Sequence, residues 1–351
     1  MISFFKRVSL QDKILFCRHL SIGLKSGMTL LNVLKMIRNQ PHSNFFRKIM
    51  DSLITDVTNG VFLSKSLEKF KSTFGGLFIN IIKVAETSGT LPENLNYLAQ
   101  ELRKRHELQS KVRGALIYPI IILVVTIVIA TSMIIFVFPK LLPLFASLKV
   151  ELPLPTKILL FIADFLTDYG LWFFLGLVIF LGAFRLSLRL KSFRFLLHRF
   201  LIFLPLFGKV MVNLNLVNSA RTLSLLLRSG VKIVEAINIT SDTITNLVYK
   251  REFTKSSEVV RKGEFLSKYF GKKKKYFPTI FVNMVEVGEN TGNLTDNLNY
   301  LAEYYEGEVD DFVRNLSGII EPIMLIFMGV IVGFIALAFI TPMYKLTQGL
   351  R

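Results

Sequence analysis

Apolar residues recur through the first hundred positions at spacings of three and four, the mark of helices with one buried face. Leu10, Ile14, Cys17, Leu20 and Leu24 make the first such stripe. Ser9 followed by Asp12 reads as an N-cap with an acid in the first turn, and Gly27 after Ser26 supplies a left-handed C-cap. Thr29 opens a second helix carrying Leu30, Val33, Leu34 and Ile37, which Pro41 closes. Further helices are predicted at 45–57, stopped by Asn59-Gly60, at 63–70 and at 77–85. No segment shows sustained alternation between turn pairs, so no strands are predicted. After Ser88-Gly89 a long helix begins, with Thr90 and Glu93 in capping-box spacing and Pro92 in its first turn. It runs through the charged stretch 101–107 into residues 114–138, which carry no charge. That apolar run spans roughly 37 Å as a helix, enough to cross a bilayer with some tilt.

Most of this pattern comes back. Gly89-Thr90-Leu91-Pro92-Glu93-Asn94-Leu95-Asn96-Tyr97-Leu98-Ala99 returns as Gly292-Asn293-Leu294-Thr295-Asp296-Asn297-Leu298-Asn299-Tyr300-Leu301-Ala302, an offset of 203 positions. The same offset maps Arg18 onto Arg221, Gly27 onto Gly230, Glu86 onto Glu289, Pro119 onto Pro322 and Pro139 onto Pro342. Chance does not hold one register from about residue 16 to 140, so the chain is a duplicated unit. The expected organisation is a helical domain at 1–113, a membrane helix at 114–139 and a connector at 140–168, followed by a second membrane helix at 169–184. A second helical domain follows at 185–316, then a third membrane helix at 317–341 and a tail at 342–351. The second span is short at roughly 24 Å, which has Arg185 and Arg189 snorkelling at its inner end. The fold class is therefore an all-α membrane protein with two homologous helical bundles and three transmembrane helices.

Composition agrees: 52% of the 351 residues are hydrophobic, high for a protein without membrane segments. The net charge of +18 by itself suggests nucleic acid, anionic lipid or an acidic partner. Its distribution changes that picture. The connector and tail hold only Lys140, Lys149, Lys157, Lys345 and Arg351, which leaves 38 of the 43 Lys and Arg on the side of the repeated domains. By the positive-inside rule both domains are expected in the cytoplasm, with the connector and C-terminus outside. The charge thus needs no nucleic-acid partner, and no aromatic-interleaved basic motif is present. The N-terminus meets Lys6 and Arg7 at once, so no cleavable signal peptide is expected.

Chemistry is hard to find. No phosphate-loop motif and no GxGxxG after a strand occurs. The four histidines lack metal-ligand spacing, and the single Cys17 in an apolar pattern reads as a core residue. No catalytic, cofactor or metal site is expected. Four features remain. The breaks Glu86-Thr87-Ser88-Gly89 and Glu289-Asn290-Thr291-Gly292 read either as turns whose Gly is left-handed or as places where the Glu docks a partner. Glu321, beside Pro322, is the only charged residue inside a membrane span, where carboxylates mark function unless they reach headgroups. Gly329 and Gly333 form a small-residue seam suited to packing within the chain or to a dimer. Lys272–Lys275 is a solvated loop or a contact for anionic lipid.

Taken together, two helical domains each ending in Glu-x-[Ser/Thr]-Gly-x-Leu and a long helix into the membrane resemble the type II secretion F family, in its two-copy PilC-type branch. Tyr118-Pro119 and Glu321-Pro322 at the membrane entries, and Pro139 and Pro342 at the exits, carry the rest of the resemblance, which covers nearly the whole chain. Ala85 departs from the family's Gly before the Glu. The resemblance implies a non-enzymatic platform in the bacterial inner membrane, serving type IV pilus or type II secretion assembly. It implies as partners a cytoplasmic hexameric ATPase, pilin or pseudopilin subunits, other inner-membrane assembly proteins and membrane lipids. The two-copy architecture and the glycine seam point to a homo-oligomer. The competing classes are a small transporter or channel built from parallel repeats and a membrane-tethered signalling scaffold.

Overall fold

The computed structural model describes residues 8–40, 43–137, 154–204 and 207–349. Among them every regular element is helical. The chain divides into two compact units. The first takes the described residues of Met1–Ser110 and Phe195–Asp311, and so contains both copies of the repeated domain.

Copy one is built from α1 (Leu10–Lys25), α2 (Leu30–Arg38), α3 (Asn44–Thr58), α4 (Leu63–Glu68), α5 (Lys71–Phe74), α6 (Gly76–Ser88) and the start of α7 (Leu91–Ser132). Polar caps set the starts of the first three. Ser9 Oγ accepts from the Asp12 amide at 3.0 Å while Asp12 Oδ2 accepts from the Ser9 amide at 3.1 Å, a full capping box. Thr29 and Ser43 cap α2 and α3 by accepting from the amides of Asn32 and Phe46, without the reciprocal bond. Pro41, expected to close α2, lies outside the described residues. The helix expected over 63–70 ends at Glu68 as α4, and the short α5 follows at Lys71–Phe74. Within the stripe read from the sequence, Cys17 and Leu20 are fully buried and Leu10, Ile14 and Leu24 only half so. The centre belongs instead to Phe16, which meets Phe46, Phe74 and Phe78 at ring separations of 5.9–6.4 Å. Several helices cover α1, so its buried face is wider than one stripe.

Copy two repeats this with α10 (Phe207–Arg228), α11 (Ile233–Thr243), α12 (Leu247–Arg261), α13 (Leu266–Gly271), α14 (Thr279–Thr291) and the start of α15 (Leu294–Gly349). The internal ties recur at the same offset. Ser21 Oγ donates to the Pro92 carbonyl at 2.7 Å, and Ser224 Oγ to the Thr295 carbonyl at 2.8 Å. Packing compensates where residues differ. A Cβ on Gly23 would come within 2.5 Å of Val33, so α1 needs glycine there; the equivalent pair in copy two, Leu226 and Ala236, moves the bulk to the other helix and is fully buried.

The second unit takes the described residues of Lys111–Arg194 and Phe312–Arg351. It contains the rest of α7, a π-helical turn at Met133–Val137, α8 (Leu154–Ser187), the first residues of α9 (Lys191–Phe203), and the rest of α15. Thr156 Oγ1 donates to the Ala338 carbonyl at 3.0 Å beside a small core of Leu159, Ala163 and Ala338. Most large apolar side chains at 117–129, 171–181 and 323–340 face outward, as suits lipid rather than water. Three helices among the described residues are long and apolar enough to cross a membrane: Leu91–Phe136, Leu154–Ser187 and Gly208–Arg228. The last buries 67% of its most apolar window against 6% and 0% for the other two, and is a core helix of copy two. The apolar run of α15, Pro322–Ala338, is shorter. Where a span at 169–184 was expected, α8 continues unbroken back to Leu154, through Lys157, Asp164 and Asp168. Residues 138–153, which include Pro139 and positions 140–153 of the expected connector, lie outside the described residues.

Gly288, within α14, packs closely on the start of α15. A Cβ there would sit 2.8 Å from the Leu294 Cα and 3.0 Å from the Asn297 amide nitrogen, whereas copy one holds Ala85 at the same place. Gly288→Ala is expected to lower stability by about 1–3 kcal/mol through overpacking. Denaturant unfolding of the detergent-solubilised protein checks this, with Ala85→Gly, expected to cost less, as its counterpart.

Candidate functional site

The repeated Glu-x-[Ser/Thr]-Gly breaks are load-carrying turns inside each copy. Phe62 and Phe265 occupy the N-cap positions of α4 and α13, and neither side chain can accept a hydrogen bond from the helix end. A carboxylate from the end of the next long helix does so instead. Glu86 accepts from the amides of Leu63 and Ser64 at 2.5 and 2.9 Å, and Glu289 from those of Leu266 and Ser267 at the same two distances. Gly89 and Gly292 then turn the chain with φ of 72° and 76°. Ser88 Oγ donates to the Val84 carbonyl at 2.9 Å, and Thr291 Oγ1 to the Val287 carbonyl at 2.7 Å. Both glutamates are thus engaged within their own copy.

The two arginines of the repeat have different fates. Arg18 is exposed, while Arg221 is buried at 4% exposure between carboxylates of both copies. Its Nε lies 3.4 Å from Glu101 Oε2 on α7, and its Nη2 bonds to Glu306 Oε2 on α15. Beside it, Lys104 reaches Glu303 at 3.2 Å and the Arg228 guanidinium lies 4.3 Å from the centre of the Tyr97 ring. Glu101, Lys104, Arg221, Arg228, Tyr97 and Glu303 line a polar cleft of about 230 Å³ between the copies. Burial pushes the Glu101 carboxyl up to about 7, against the pull of Arg221 and Lys104. Sequence reading singled out Arg221 but missed Glu101, Glu303 and Glu306. The signal was available in the divergence of the copies, since offset 203 replaces Glu101 by Tyr304 and Glu306 by Arg103.

The remaining candidates do not join this cluster. Pro119 is half-buried within α7, and Pro322 is exposed in α15. Glu321 belongs to α15 but its side chain lies outside the described residues. An added Cβ at Gly329 or Gly333 meets nothing within 4 Å, so among the described residues this seam is open. No group of three or more described His, Cys, Asp or Glu side chains is arranged to hold a metal ion.

The sequence profile of the family described as type II secretion system (T2SS), protein F matches this chain twice, over residues 16–139 and 219–342, at the same 203-residue offset. The chain is 35% identical over 337 residues to the type IV pilus assembly protein PilC of Thermus thermophilus, covering 96% of this chain and 83% of that one. It is 31% identical to the protein of the same name from Pseudomonas aeruginosa, over 97% of this chain and 91% of that one. With the type II secretion system protein F of Vibrio cholerae it shares 30% identity over 98% and 85% of the two chains.

Two outcomes follow from the geometry. Glu289→Ala leaves two amides of α13 without their charged acceptor and is expected to cost about 2–4 kcal/mol; amide exchange at Leu266 and Ser267 accelerates accordingly, while Glu289→Gln retains part of the protection. Glu101 binds its proton more tightly folded than unfolded. Its contribution to stability is complete below its ordinary pKa of 4.5 and is lost as pH rises through about 7. Thermal unfolding of wild type and Glu101→Gln across that window should differ in slope, the wild type losing more stability as pH rises.

Proposed function

The chain belongs to the type II secretion system protein F family, and we propose that it is a non-enzymatic inner-membrane platform of a type IV pilus or type II secretion-like machine. In this reading it couples a cytoplasmic hexameric assembly ATPase to the insertion of pilin or pseudopilin subunits into a filament. The observation that carries the proposal is that each repeated domain ends in a helix that continues without a break into an apolar stretch: α7 from Leu91 and α15 from Leu294. A helix transmits displacement along its length better than a jointed loop. ATPase cycles acting on the two domains would turn or tilt the membrane segments that follow, and these would lift pilin helices from the bilayer.

The buried Arg221 cluster supports one compartment for both copies, because residues of both meet there, and the excess of Lys and Arg on their side supports the cytoplasm. The N-terminus is then cytoplasmic too, and the C-terminus external. The open Gly329/Gly333 seam suits a helix of another subunit or a pilin. Glu321, near the membrane entry of its helix, suits the positive N-terminal end of a pilin helix. Other inner-membrane assembly proteins and lipids complete the set of partners, with no role for nucleic acid.

The full-length protein, solubilised and purified from a cell that builds such a filament, is expected to bring the hexameric ATPase with it. Glu321→Gln is expected to reduce pilin crosslinking and filament assembly at unchanged protein level. Absence of the ATPase together with solute flux in liposomes holding this protein alone would instead favour a transporter.

A further inference from the structure

The two copies within one chain meet through different faces. Copy one presents α6 and the start of α7, and copy two presents α10 and α11, with Glu303 of α15 reaching Lys104 at the edge. The arrangement is head to tail, so among the described residues α1–α2 of copy one and the side of α14–α15 that carries Val287, Tyr300 and Tyr304 stay exposed, outside this contact. Offset 203 allows each exposed residue to be compared with its buried equivalent. On copy two Leu225, Val231 and Ile239 are 6%, 5% and 9% exposed, whereas the equivalent Ile22, Met28 and Met36 of copy one are 54%, 39% and 39% exposed. On the other side, Val84, Tyr97 and Glu101 of copy one are half-buried, whereas the equivalent Val287, Tyr300 and Tyr304 of copy two are 47%, 51% and 39% exposed. Both outer faces therefore keep the apolar character of the joined ones.

We propose that these faces bind each other between chains: α1–α2 of one molecule docks on α14–α15 of the next, repeating the contact that joins the copies within a molecule. The occupant is a second copy of this chain, and continuity with the internal contact sets the pairing. Gly230, whose added Cβ would lie 3.9 Å from Val84, becomes Gly27 against Val287. Arg228 over the Tyr97 ring becomes Lys25 over Tyr300, which preserves a cation on an aromatic face. Arg221 against Glu101 becomes Arg18 against Tyr304. The bridge from Lys104 to Glu303 has no successor, since Gly307 and Gln100 stand in its place. The contact between chains thus keeps the apolar and cation–aromatic parts and loses the buried ion pairs, which makes it weaker and reversible beside the internal one. A head-to-tail contact of this kind either closes a ring or extends.

Cysteine crosslinking of the full-length protein in native membranes tests this, with Lys25→Cys and Tyr300→Cys as probes at exposed sites. The native Cys17 is fully buried and burial pushes its thiol up, so it stays silent. Differently tagged single variants, co-expressed and oxidised, are expected to give a mixed dimer, with neither variant giving one alone. The double variant is expected to give a ladder. Crosslinking of either single variant with itself, or no crosslink in the mixture, overturns the proposal. Met36→Glu provides a second measurement, since it alters an exposed residue and leaves the fold intact: self-association is expected to fall at least tenfold. Unchanged association would assign oligomerisation to another surface, such as the Gly329/Gly333 seam, and would equally overturn it. Neither readout requires the ATPase or pilin, so failure here is separable from failure of the platform reading.

Discussion

Arg221 is the constraint on which the unit that holds both copies depends. A guanidinium removed from water is destabilising unless its charge and its donors are met, and here they are met by one carboxylate from each copy. Neither copy satisfies it alone. The apolar contacts of α6 with α10 and α11 surround this pairing, so burial of the ion cluster and burial of the neighbouring apolar surface form together. The same cluster places a weakly acidic Glu101 at the junction, because solvent exclusion works against the attraction of the arginine.

Duplication explains what is shared, and divergence explains what is joined. The ties that hold each copy together have been kept: the glutamate on two amides, the serine on the carbonyl after the turn, and the left-handed glycines at Gly27/Gly230, Gly60/Gly263 and Gly89/Gly292. Some of the residues that differ lie where one copy is covered and the other is not. Copy two gained a buried arginine pair where copy one carries an exposed Arg18, and copy one gained Glu101 where copy two carries Tyr304. A single internal contact between two similar domains creates this asymmetry, since each domain uses a different face.

Local signals made much of the fold legible. Ser9, Thr29 and Gly27 end or begin helices through their own side-chain or backbone chemistry, and the helix starts of copy two follow by the offset. The membrane helices were legible because charge is expensive in lipid, but their ends were not. Lys157, Asp164 and Asp168 stop an apolar count without stopping a helix, and α8 runs through them. The glutamates of the turns were visible as a motif, yet their acceptor role depends on amides more than twenty positions upstream. The junction itself was the least legible part. Ile22 and Leu225 have the same chemistry and opposite exposure, and only tertiary contact separates them.

Vectorial labelling tests the central claim, that both copies occupy one compartment. Lys65 and Lys268 are exposed, stand at equivalent positions, and accept cysteine without touching the core. With a membrane-impermeant maleimide, both variants should resist labelling in intact spheroplasts and react once the membrane is opened. Reaction of one from outside and the other only from inside would contradict the shared burial of Arg221 and the platform built on it.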